Sequence, residues 1–349
     1  MSNESLNWLN SNVLVGFTEK RGNAWHYRKS SQAVEPNHYR GGIPATEVER
    51  RLFFWEPEEW PLAALVGDEP EAISRVEAIH LSPVIERAVV TPTAKAIYRR
   101  DIDAVIGVVG SNYTLHGYRE WLLERVFDLL GEAGIGSAGL LEQGAKAWVQ
   151  VEVPDTFRVD DVEFRPFLTA ATALDGSMST TYLTGAQVVV CDNTLRAAMS
   201  DTDAKKIRVR HSTRSGLDIG TAREALDVLD ATRLAFEAQY KSLKDWRVSD
   251  EMFERFVRAR FSLKDETKYR RHPQFERREV LRRLWGEDPR VAPWRGNAYG
   301  VVAAINTFEH HFSGRAEGPH AAERNAGRLL RGRFDQIDVR TLDLLREVA

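Results

Sequence analysis

Lys205, Lys206, Arg208, Arg210 and Arg214 fall within ten residues that hold no acid. Side chains two apart in an extended chain share a side. In IRVRH that puts Arg208 and Arg210 together, with Lys206 one step further along. A ridge of cations at strand spacing can follow the phosphates of a nucleic acid. The same pattern also suits an edge strand protected from aggregation by charge. A second cationic stretch, FERFVRARFSLKDETKYRRHPQFERREVLRRLW, mixes Arg255, Arg258, Arg270, Arg271, Arg277, Arg278, Arg282 and Arg283 with Phe253, Phe256, Phe261, Tyr269, Phe275 and Trp285. Cations interleaved with rings can line a single-strand groove, where rings stack on bases. Equally, they can form an amphipathic helix pair with core aromatics and a wet basic face.

Covalent and nucleotide chemistry finds less support. GIGSAG, Gly134 to Gly139, has the glycine spacing of a dinucleotide turn. Such a turn needs a strand before it and a helix after it. Here a helix precedes and a strand follows, so the motif reads as a helix C-cap and connector. No GxxxxGK phosphate loop is present. Glu309, His310 and His311 lack the spacing of a helical zinc site, since adjacent helix residues point apart. Cys191 follows Val188, Val189 and Val190 and reads as a buried thiol, with a thiolate at a strand-to-helix junction as the alternative. His211 and Asp218 make no recognisable dyad, and Asp160, Asp161 and Glu163 read as a solvated loop. No catalytic residue, metal or cofactor is expected.

The elements that must carry these residues follow from periodicity. YTLHGYREWLLERVFDLLGEAG is a helix, with Tyr118, Trp121, Leu122, Val126, Leu129 and Leu130 at helical spacing. AKAWVQVEV, EFRPFLTAATAL and TTYLTGAQVVV are strands. CDNTLRAAMS starts a helix that Asp192 or Asn193 can cap. KKIRVRHSTR is a basic turn or strand. Beyond Asp218 the chain is mostly helical. The expected fold class is α+β: an antiparallel sheet flanked by helices (helix, three strands, helix) with a largely helical C-terminal portion. The divisions are an irregular segment over 1–60, the α+β core over 61–216 and the helical region over 217–349.

Composition sets the outer bounds. The 349 residues are 43% hydrophobic and 28% charged, with a formal charge of -3. Charge is nevertheless segregated: Ile43 to His80 holds nine acids and three bases, and Arg255 to Arg283 holds eleven bases and four acids. That suggests a face for a polyanion, or a basic face meeting an acidic one on another subunit. The single cysteine excludes an internal disulfide and a thiolate zinc cluster. No signal-peptide pattern or membrane span is visible, and a cytoplasmic setting is expected.

LTGAQVVVCDNTLRAAM resembles the phage/plasmid-like proteins, a domain-of-unknown-function family (DUF932) of phages, plasmids and bacterial genomes. RGNAWH, KIRVRHS, GNAYGVVAAINTFEHHF and AERN are similar to it as well, so the resemblance covers almost the whole chain. A looser resemblance, in element order alone, is to ring-forming single-strand annealing proteins of the Rad52 type. It implies cations after the three-strand sheet and on its hairpin lining a groove. Here those would be Lys205, Lys206, Arg208, Arg210 and Arg214, with Arg158 and Arg165 on the hairpin; this is analogy of fold. The expected function is ATP-independent binding and annealing of single-stranded DNA by a homo-oligomeric ring or filament. The alternative is a mobile-element accessory or anti-defence protein that binds a host protein, with Trp55 and Trp60 in its acidic segment.

Overall fold

A computed structural model describes residues 11–21, 35–66, 87–130, 134–152, 157–159, 162–188, 194–195, 206–212, 234, 236–263, 273–289, 291–313, 328 and 333–349. In chain order its strands are β1 (Val13–Val15), β2 (Glu58–Val66), β3 (Arg87–Arg99), β4 (Ala104–Gly110), β5 (Gly134–Leu141), β6 (Lys146–Glu152), β7 (Phe157–Val159), β8 (Val162–Ala173), β9 (Thr180–Val188), β10 (Thr194–Leu195) and β11 (Lys206–Val209). The main helices are α1 (Ala45–Arg51), α2 (Arg119–Glu124 continuing as Arg125–Leu130), α3 (Asp250–Arg260), α4 (Pro273–Glu287), α5 (Ala298–His311) and α6 (Arg333–Val348). The fold is α+β, and the pairings between the described strands are antiparallel.

The large sheet runs β1-β5-β6-β8-β9-β10, with β7 on β8 and β11 on β9. The three strands expected from alternation are β6, β8 and β9. GIGSAG is also a strand: it opens β5, where a helix cap and connector were expected. The reason is cross-strand and cannot be read locally. A Cβ on Gly136 would overlap the Glu152 carboxylate, and one on Gly139 would overlap the Trp148 indole, both from β6. Glycine makes room for two large side chains of the neighbouring strand.

One face of this sheet is sealed by α2 and by a second sheet, β2-β3-β4. Their shared core includes Leu14, Ile97, Ile106, Leu122, Val126, Val149, Leu168 and Tyr182. The helix begins later than the periodicity implies, because the stretch holding Tyr113, Thr114 and His116 turns toward β8, β9 and the end of β11. It opens with a π-helical turn. Three consecutive side chains, Trp121, Leu122 and Leu123, are all buried there. A regular α-helix spreads three neighbours over most of its circumference, and the wider turn relaxes that constraint.

The sheets meet at the β5–β6 turn. Glu142, Gln143 and Gly144 all have positive φ, of 51°, 58° and 95°, which costs an ordinary residue about 1–2 kcal/mol. Three side chains hold the turn. Arg99 donates to the Gln143 carbonyl (2.8 Å), the Tyr118 hydroxyl donates to the Gly144 carbonyl (2.6 Å), and Lys146 pairs with Glu142. Arg99 is itself fixed by Asp101 and by the Trp55 ring, 4.1 Å from its guanidinium carbon.

Part of the N-terminal stretch expected to be irregular joins this core: β1 pairs with β5, and Ile43 bridges to Ile135. Of the expected CDNTLRAAMS helix, the described part is β10, a strand on β9; Cys191 lies outside the described residues. The C-terminal helices gather around a separate core that includes Phe236, Tyr240, Phe253, Phe256, Trp285, Trp294, Tyr299 and Phe308. Ser249 and Asn297 cap α3 and α5, accepting from Met252 N and Gly300 N.

Candidate functional site

Strand β11 lies along the outer side of β9, with Lys206 opposite Leu183 and Arg208 opposite Thr181. Alternation then separates its residues. Val209 packs on the core, while Arg208 and Arg210 are exposed. Two residues of strand put the two arginines about 7 Å apart on one side of the chain. Arg158 is exposed in β7, opposite Glu163. The backbones of Lys206 and Arg165 are placed in β11 and β8, with Arg165 opposite Gln187. By register, positions 165, 206 and 208 fall on the same face of the sheet. Position 165 is offset from 206 by four residues along β9 and two strands across it, roughly 13 Å by 10 Å. Lys205 and Arg214 lie outside the described residues. The sheet face beside Arg208 is closed: Thr181, Ala171 and Thr169 are buried. Among the described residues, the exposed basic surface is therefore the edge at β11.

On the core side of the same strand end, sequence reasoning missed a buried polar cluster. Four rings stack in the order Tyr113, His211, His116, Trp121, with centroids 4.5, 4.0 and 3.7 Å apart. The Arg125 guanidinium caps the column 3.7 Å from the Trp121 ring. His211 Nδ1 lies 2.9 Å from the Thr114 carbonyl, which can only accept, so that nitrogen carries the proton. His211 Nε2 then accepts from Thr172 (3.1 Å), Thr172 accepts from Thr180 (2.7 Å), and Thr180 accepts from His116 Nδ1 (2.6 Å). One carbonyl thus sets the direction of the whole chain. It leaves His116 Nε2 as a buried acceptor with no partner among the described residues.

Both imidazoles are held neutral. Burial pushes His116 down to about 3, with His211 and Arg125 adding to the shift, and burial also lowers His211. His116 is wholly buried and out of reach of a solvent-borne substrate, whereas His211 is partly exposed. What the cluster does is fix the end of β11. Its members span residues 113 to 211 and carry no local sequence signature; His211 was visible only as a lone histidine.

The basic, aromatic stretch resolves into core and internal pairing. Phe253, Phe256, Phe261 and Trp285 are buried. Arg282 pairs with Glu254 and Glu279, and Arg258 with Glu254. Arg255 donates to the Val348 carbonyl, and buried Arg278 donates to those of Arg258 and Phe261. The helix pair with core aromatics is the arrangement found. Tyr269, Arg270 and Arg271 lie outside the described residues.

The acidic stretch folds back on its own chain in the same way. Glu47 pairs with Arg50, Glu49 with Arg119, Glu58 with Arg100 and Glu59 with Lys95. Trp55 is buried under Arg99, whereas Trp60 is exposed on the β2-β3-β4 sheet with Val105 and Val108.

Glu309, from the glutamate–histidine–histidine run, is buried and pairs with Arg260 (3.1 Å) and Arg328 (2.7 Å). These groups border a pocket of about 320 Å³ with Phe261, Gln274, Arg277, Phe308 and Ser313. Among the described residues, no helix is long and apolar enough to cross a membrane.

Compared with known proteins, residues 105–330, well over half of the chain, match the family described as Domain of unknown function (DUF932). No curated protein and no solved structure gives a match.

Proposed function

We propose that this chain, which belongs to the DUF932 family, binds single-stranded DNA along β11 and anneals complementary strands without a bound nucleotide. The observation carrying this reading is the pair Arg208 and Arg210, both exposed on one side of an edge strand. About 7 Å apart, they can each meet a phosphate of one extended strand. The closed face beside them directs the path along β11 rather than across the sheet. An arginine fork binds phosphate oxygens and leaves base edges free for a complementary strand. Base pairing then supplies the driving force. The annealing comparison is one of fold analogy only, and β5 and β10 depart from the helix, three-strand, helix order it started from. The ring or filament, and a role in phage or plasmid recombination, are part of the same proposal.

Binding to a fluorescent oligonucleotide at several salt concentrations tests it. Salt-steep binding that is weaker and less salt-dependent in Arg208→Ala plus Arg210→Ala supports the reading, and no binding at low salt removes it. A second reading is an accessory or anti-defence protein that docks on a host protein. It rests on the exposed apolar side of the β2-β3-β4 sheet, where Trp60, Val105 and Val108 are about half exposed. Recovery of one host protein from nuclease-treated lysate, lost with Trp60→Ala and kept with the double arginine variant, would favour it.

A further inference from the structure

The pocket between α3, α4 and α5 holds an unbalanced charge. Among the described residues that line it, Arg260, Arg277 and Arg328 face one acid, Glu309, an excess of two positive charges. The single carboxylate holds two guanidinium groups at once: Arg260 reaches Oε1 and Arg328 reaches Oε2. Arg260 also lies 5.2 Å from the Phe261 ring. Two forks are thereby fixed before any ligand arrives, which lowers the ordering cost of binding. Arg277 comes from the exposed face of α4, and its contact with Gln274 is a long 3.4 Å. Gln274 and Arg277 belong to the N-terminal part of a 15-residue helix, whose first amide groups lack intrahelical acceptors and favour an anion.

The arginines have another structural use to consider, as caps for the carbonyl ends of α3 and α5. Arg278 does this for α3, bonding the Arg258 and Phe261 carbonyls, but it does not line the pocket. Arg328 does so weakly for α5, 3.4 Å from the Glu309 carbonyl. Capping therefore does not account for Arg260 and Arg277 facing the same space.

We propose that this pocket is a binding site for a phosphate monoester. Such a group carries about two negative charges near neutral pH and offers three acceptor oxygens, which suits the excess charge and the arginine forks. A volume of about 320 Å³ lies at the small end of ligand sites. The two rings in its lining, Phe261 and Phe308, are 3% and 2% exposed. They offer no free face for a base to stack on, so recognition is of the phosphate and is indifferent to the base. The same group occurs on a free mononucleotide and at the 5′ end of a nucleic-acid strand. This site is separate from β11 and stands or falls independently of the annealing proposal.

Calorimetric titration of the full chain tests it with inorganic phosphate, AMP, UMP, adenosine, and one oligonucleotide with either a 5′-phosphate or a 5′-hydroxyl. AMP and UMP should bind alike and adenosine should not. Arg277→Ala, a change at an exposed position, should weaken binding about tenfold, as expected for removing one charge-assisted hydrogen-bonding group, and Arg277→Glu should abolish it. Arg208→Ala plus Arg210→Ala should leave mononucleotide binding unchanged. Preference for the 5′-phosphorylated oligonucleotide would identify a strand end as the source, and binding of mononucleotides alone would identify a small metabolite. Absence of binding by every phosphate probe at millimolar concentration overturns the proposal. So does equal binding of AMP and adenosine, or equal affinity in the correctly folded Arg277 variants.

Discussion

Acid should destabilise this protein well above the range where carboxylates protonate, and His116 is the reason. Its ring is wholly buried between Trp121 and His211, and its pKa falls from 6.5 to about 3. Between those values the unfolded chain binds a proton that the folded chain refuses. Stability is therefore greatest above pH 6.5 and declines as pH drops toward 3. Each unit is worth about 1.4 kcal/mol, so a fall from pH 7 to 5 removes roughly 2 kcal/mol through this residue alone. His211 shifts in the same direction and adds to the loss. Depressed carboxylates such as Asp175, Glu254 and Asp101 stay ionised in both states over most of this window, so they contribute little. Urea unfolding at pH 7, 6 and 5 reads the effect. His116→Phe keeps a ring in the stack and removes the titrating group, so its stability should depend less on pH even where its total stability is lower. A wild-type stability that holds level from pH 7 to 5, or a variant that loses as much as the wild type, would refute the burial argument.

Three further outcomes are expected. Gly139→Ala pushes a Cβ into Trp148 and should cost about 1–3 kcal/mol in chemical unfolding; no loss would mean that β5 and β6 are not in this register. Tyr118→Phe leaves the Gly144 carbonyl without its hydroxyl donor and should cost about 1–3 kcal/mol, while a neutral outcome would show that the left-handed turn needs no such clamp. Arg208→Ala plus Arg210→Ala should flatten the salt dependence of oligonucleotide binding by about 1.4 in log–log slope, some 0.7 for each phosphate that is no longer neutralised; an unchanged slope would place the strand elsewhere.

Elements with a strong local period are the ones the sequence declares. Helical spacing through Trp121, Leu122 and Val126 reads directly from neighbouring residues, and so does the alternation of valines with larger side chains in β6, although both faces of that strand are buried. β5 is different. Its glycines look like a flexible joint until Glu152 and Trp148 are placed across from them. The stack of His116 and His211 is invisible for the same reason: its partners are 95 residues apart, and a histidine alone gives no sign of a hydroxyl chain. Charge misleads in another way. Counting acids and bases by stretch finds two opposed blocks, yet Glu58 with Arg100 and Glu254 with Arg282 show each block finding counter-ions close at hand. For the ridge, spacing identifies Arg208 and Arg210 as neighbours, but only β9 shows that the sheet beside them is closed.

The family match begins at residue 105, inside β4. Much of what precedes that point is nonetheless threaded into the same interior: Leu14, Ile43, Val48, Leu52, Trp55 and Ile97 all belong to the core shared with β6 and β8. A fragment trimmed to the shared segment would bare the flank of β5 that β1 now covers and the flank of β4 that β3 now covers. Two raw strand borders and a half-filled interior are a recipe for clumping rather than for a smaller working protein. Recombinant work on relatives should therefore retain the residues upstream of the match, even where they look dispensable by comparison.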